Sequence, residues 1–126
     1  MRISLCLSLL ALFALTAAAD VDVTGNWTGT FHTIAPNGET NDSPGVMNLK
    51  QDGNAISGSV GNGENERYEI RKGTIEGNKV TIDVVVDEFT YHAELLVDGD
   101  RLYGDALGKS ASGQELRVKV DVKRAK

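Results

Sequence analysis

The chain is poor in several things at once: it has one cysteine, two prolines, one tryptophan and two histidines in 126 residues. Each shortage excludes something. The cysteine, Cys6, lies in the apolar opening stretch, so the chain from Asp20 onward holds no thiol. It can form no disulfide and no thiolate metal site, and its stability must come from an ordinary apolar core. Basic residues are outnumbered, 13 Lys and Arg against 18 Asp and Glu, for a net charge of −5. Without a basic patch, neither nucleic acid nor an anionic membrane surface is an expected partner. The locally basic end, "KVDVKRAK", reads as a solvated terminus. No stretch after Asp20 keeps a helical period.

What is present begins with "MRISLCLSLLALFALTAAAD". Arg2 is a positive n-region, Ile3 to Leu15 an apolar run, and Ala17-Ala18-Ala19 a small-residue cleavage site. This is the pattern of a secretory signal peptide. The run is shorter than the roughly 20 residues a spanning helix needs, and Asp20 stands where a lipoprotein would carry its cysteine. The expectation is a signal peptide over residues 1–19 and a single secreted or periplasmic domain over 20–126, without a membrane anchor.

From there the pattern has period two. Val80, Ile82, Val84 and Val86 share one face of a strand, as do Phe89, Tyr91, Ala93, Leu95 and Val97, and Leu116, Val118, Val120 and Val122. Such alternation marks strands with one buried side. "QDGN", "IEGN" and "VDGD" each place an acidic residue, Gly, then Asn or Asp before a new strand. Glycine and Asn or Asp suit tight hairpin turns, and Gly53, Gly77 and Gly99 recur at intervals of 24 and 22 residues. The breaks delimit eight strands, near Val23–Ala35, Thr40–Gln51, Ala55–Gly61, Glu66–Thr74, Lys79–Val86, Phe89–Val97, Arg101–Leu107 and Gln114–Lys123. Pro44 relegates the first part of the second strand to an edge or bulge, and Gly73 suggests another bulge. Short turns between consecutive strands favour an all-β, eight-stranded antiparallel up-and-down barrel, which has no open edge. A two-sheet sandwich is the alternative. It usually needs crossovers, and the chain has no long linker for one.

"GNW", Gly25-Asn26-Trp27, on the first strand of such a meander resembles the calycins, the superfamily of lipocalins, fatty-acid-binding proteins and avidins. "VTGNWTG" followed by "DGNAISGSV" is similar to the first strands of an avidin-type barrel. The resemblance implies that Trp27 lies across the closed end, that Gly25 leaves room for the ring, and that an Arg of the last strand packs over it. Arg124 is the residue in position to do so. Gly25, Trp27 and Arg124 are thus expected to form a structural plug, with Gly29 also clearing space for the ring. The inward tryptophans and polar anchors of the avidin ligand shell are missing, so biotin is not an expected ligand.

Chemistry is sparse. The inward-facing set contains almost no ionisable group, and acid–base or nucleophilic catalysis needs one beside the reacting atom. His32 and His92 face outward by parity, away from any convergent ligand set. "DGNAISG" and "DGDRLYG" begin like calcium loops but put Ile56 and Leu102 where an oxygen ligand belongs. The expectation is therefore no enzyme, no metal and no cofactor. Inward aromatics leave room for a pocket, and Phe31, Tyr68, Phe89 and Tyr91 are the candidate residues for binding a small apolar molecule. The alternative is a protein-interaction module, similar to the small periplasmic barrels that insert an N-terminal arm into a protease cleft. Only Asp20 to Thr24 precede Gly25 as an arm.

Overall fold

The computed structural model describes residues 21–63 and 66–125. The expected signal peptide lies outside them. The described chain forms eight strands: β1 (Gly25–Ile34), β2 (Thr40–Asp52), β3 (Ala55–Gly61), β4 (Arg67–Glu76), β5 (Lys79–Val86), β6 (Phe89–Asp98), β7 (Arg101–Ser110) and β8 (Glu115–Arg124). They pair in chain order and close through β1 and β8 into an antiparallel up-and-down barrel. Closure pairs β1 with β8, the two strands whose outer edges an open meander would leave bare.

Hairpin chemistry sets the registers. Gly53, Gly77 and Gly99 have φ of 63°, 62° and 63°, each at the first central position of a two-residue turn, where a type II′ hairpin needs a positive φ. Asp87, the one described non-glycine residue at positive φ (56°), makes the turn from β5 to β6. Period-two alternation then sends one row of each strand inward. Trp27, Leu49, Ile82, Leu95, Leu102, Val80 and Val122 are almost wholly buried and form one core with Val23.

Two irregularities shape the barrel. The residues Thr40 to Gly45 of β2 pair with β1 alone, because pairing with β3 begins only at Val46 and Gly61. Pro44 therefore sits where no second ladder needs its missing N–H. The bulge expected at Gly73 falls slightly earlier. Pairing of β4 with β5 slips between Ile70 and Lys72, so Arg71 and Lys72 both face solvent. Gly73 instead allows close approach: a Cβ there would lie 2.5 Å from the Ile56 carbonyl oxygen.

Candidate functional site

The two ends of the barrel differ. Turns 53–54, 77–78 and 99–100 share one end with residues 21–24 and the tail of β8. Here Trp27 is completely buried and its indole N–H donates to the Val23 carbonyl at 3.0 Å. The Arg124 guanidinium lies 4.4 Å from the ring centroid. It also donates to the carbonyls of Thr24 (2.8 Å) and Asp22 (3.0 Å) and to the Asp100 carboxylate (3.0 Å). Gln51 was not singled out in the sequence, yet its side chain accepts from the Val23 N–H (3.0 Å) and donates to the Val21 carbonyl (3.2 Å). Residues 21–24 are thereby stitched across the closed end.

The roles expected of the glycines need correction. A Cβ on Gly25 would meet the Arg124 Nη1 at 3.3 Å, not the tryptophan ring. A Cβ on Gly29 would lie 2.1 Å from the Asp121 carbonyl oxygen. Gly29 thus admits the backbone of β8 at the closing seam, and Gly25 admits the guanidinium.

Toward the other end the interior opens into a cavity of about 280 Å³. Its walls are Met47, Val60, Ile82, Val84, Leu95, Val118 and Val120, with the small residues Ala93 and Ala106 leaving space. Phe31, Tyr68 and Tyr91 line it. Phe89 does not, and its ring stands 6.1 Å from that of Tyr91. As the first residue of β6, beside the turn at Asp87 and Glu88, Phe89 lies at the end of its strand, although its parity is that of Tyr91. Two of the lining rings cover glycines on neighbouring strands. A Cβ on Gly45 would be 2.5 Å from the Phe31 ring, and a Cβ on Gly108 would collide with the Tyr91 ring at 2.4 Å. The glycines let both rings lie back against the wall.

No charged side chain lines the cavity among the described residues. Its polar residues are Thr33, Asn41, Ser43 and Asn62, with Tyr68 and Tyr91. The sequence reading passed over the first four, although parity marks three of them: Thr33 shares a face with Phe31, and Asn41 and Ser43 share one with Met47. Asp87 raises the Tyr68 hydroxyl above its usual range, with burial and Glu66 adding to the effect. Burial, then Asp87, does the same for Tyr91. Both hydroxyls therefore stay protonated at neutral pH and can donate.

The histidines stand on the outer surface. His32 bonds Asp42, and His92 bonds Asp83 at 2.6 Å with Glu94 at 3.5 Å. Among the described residues, no group of three or more His, Cys, Asp or Glu side chains is placed to hold a metal, and no helix is long and apolar enough to cross a membrane.

No protein-family model and no curated protein matches this sequence. Solved structures do match the fold. An S-type phycobiliprotein lyase (CPES) from Guillardia theta has a TM-score of 0.55 at 10% identity over 88% of this chain and 97% of that one. A protein of unknown function from the DUF3598 family of Nostoc punctiforme has a TM-score of 0.51 at 16% identity, covering 82% of this chain. This chain spans about half of it, 48%. A zebrafish ileal bile acid-binding protein complexed with cholic acid has a TM-score of 0.44 at 14% identity, over 81% of this chain and 98% of that one. The first two likenesses show the fold alone, which here is a closed eight-stranded antiparallel up-and-down barrel. One expectation is overturned: a protein named a lyase is built on this fold, so the chain cannot be set down as no enzyme on the grounds of its barrel. That expectation counted only charged and nucleophilic groups pointing inward. It treated Tyr68 and Tyr91, which line the cavity, as apolar surface, although each carries a hydroxyl.

Proposed function

We propose that this chain is an exported lipocalin-like barrel that holds one small, neutral, largely apolar molecule in its cavity. The observation that carries the reading is the cavity of about 280 Å³, apolar in its depth and lined by no charged side chain among the described residues. It lies just below the roughly 300–1,000 Å³ range of small-molecule sites. Burying an unpaired charge against such walls would cost several kcal/mol. Export is supported by the n-region, apolar run and Ala17-Ala18-Ala19 of the first 19 residues.

The arm-in-cleft alternative draws no support from the closed end. Val23 is fully buried, and residues 21–24 are bonded to Gln51 and Arg124, so this segment is not a free arm.

Native mass spectrometry of the protein purified from its own host tests the proposal. The expected spectrum shows a protein beginning at Asp20 with one neutral small molecule that dissociates on activation. A protein that neither carries such a molecule nor takes up neutral apolar probes would overturn the binding reading. A mass retaining residues 1–19 would overturn export.

A further inference from the structure

The cavity is polar on one side of its mouth only. Thr33, Asn41 and Ser43 all belong to the β1–β2 hairpin, where Thr33 stands directly across from Asn41 and Phe31 from Ser43. Asn62, just after β3, continues this arc, and the lining contributed by β5 through β8 is apolar apart from the Tyr91 hydroxyl. On the outward row of the same hairpin Asn26 pairs with Asn48 and His32 with Asp42. Thr33, Asn41 and Ser43 have no side-chain hydrogen bond among the described residues. Beside them, the Thr40–Gly45 edge of β2 faces no partner strand among the described residues. A strand edge carries backbone donors and acceptors of its own.

Charge narrows the choice of ligand. No Lys, Arg or His lines the cavity to pair with an anion. The carboxylate of Asp87 acts on both Tyr68 and Tyr91. An anionic head group would meet repulsion there without a counter-charge. A hydroxyl would find both donors and acceptors on Asn41, Ser43 and Thr33.

We propose that Thr33, Asn41 and Ser43 form a hydrogen-bonding collar that selects an uncharged amphiphile, with its hydroxyl head at the mouth and its apolar tail against Ile82, Leu95 and Val120. The inference rests on the binding reading above and adds the class and orientation of the ligand. At roughly 30 Å³ per water-sized group, the cavity of about 280 Å³ holds about nine heavy atoms. 1-Octanol is a probe of that size.

Calorimetric titration with 1-octanol, 1-fluorooctane and octanoate, on the parent protein and on T33V/N41A/S43A, tests the collar. 1-Octanol should bind the parent about tenfold tighter than either other probe, the range that one or two net hydrogen bonds supply. The triple variant should lose that preference over 1-fluorooctane. Equal binding of 1-octanol and 1-fluorooctane by the parent, or octanoate as tight as 1-octanol, would overturn the collar and leave the apolar cavity standing. Retention of the 1-octanol preference by the variant would also overturn it. Failure of all three probes to bind would overturn the cavity reading and the collar with it.

Discussion

At the scale of the residue, Trp27 and Arg124 share one contact and should behave as a pair. Trp27→Ala removes a fully buried ring and should cost about 3–5 kcal/mol, a large part of the roughly 5–15 kcal/mol a domain has. Arg124→Ala should cost less, because a cation–π contact is worth about 0.5–2 kcal/mol, although it also releases the carbonyls of Asp22 and Thr24. Chemical denaturation of the parent, both single variants and the double variant should show a less than additive sum. Full additivity would mean that the stacked geometry stores no energy. Proximity of the two residues was legible because the end of a closing strand must lie beside the start of the first. The duties of Gly25 and Gly29 were not, since alternation says which face a residue takes and nothing about what approaches it from the next strand.

Gly108 carries a second residue-scale expectation. An added Cβ would lie 2.4 Å from the Tyr91 ring, a side chain able to swing into the cavity. Gly108→Ala should therefore cost less than the about 1–3 kcal/mol of a core that cannot give way, while lowering the affinity for an apolar probe. Denaturation and probe titration of the same sample check both parts. Unchanged probe affinity would show that the ring does not depend on this niche.

At the scale of the element, all eight strands could be read from alternation and turn residues, with ends within a few positions. The exception is instructive. In β4 the extra residue at Arg71 reverses parity, so Ile75 joins the core, only 4% exposed, on the same row as Gly73. Gly73 signalled a bulge in this strand but not its position, so the inward face beyond it could not be read. The polar collar went unread for a different reason. Its three residues obey the inward parity of β1 and β2, but polar residues near a hairpin tip look like solvated loop until the cavity shows which way they face.

The β5–β6 pair places His92 opposite Asp83 on the outer surface. The hydrogen bond to Asp83 raises the His92 pKa above its usual 6.5, against a smaller effect of burial, with Glu94 adding to the rise. The raised folded-state value means that stabilisation is fully present below about pH 6.5 and is lost as pH rises through the folded value. Solvent screening at this exposed site holds it to at most about 1 kcal/mol. The stability difference between the parent and His92→Gln should be largest near pH 5.5 and fade above neutrality. A difference that is flat with pH, or grows toward alkaline pH, would contradict the assignment.

At the scale of the whole molecule, closure through β1 and β8 gives one end sealed by Trp27, Arg124 and Gln51 and another end open to a neutral cavity. An eight-stranded barrel is just wide enough to be filled by side chains or to hold one small ligand. The choice falls to residue volumes: Ala93, Ala106 and Gly108 on β6 and β7 leave the space that larger residues would fill. Strand count and topology were legible in the sequence. A pocket lined by Phe31, Tyr68 and Tyr91 was legible too, but its volume was not, because volume depends on how rings such as Tyr91 and Phe31 fold back over neighbouring glycines. The most direct measurement is titration of a neutral apolar probe of about nine heavy atoms into the parent and into Ala106→Phe, with the fold of each monitored by circular dichroism. Saturable binding of one molecule by the parent, lost in a folded Ala106→Phe, is the expected result. Equal binding by both proteins, or none by the parent, would contradict a ligand site inside the barrel.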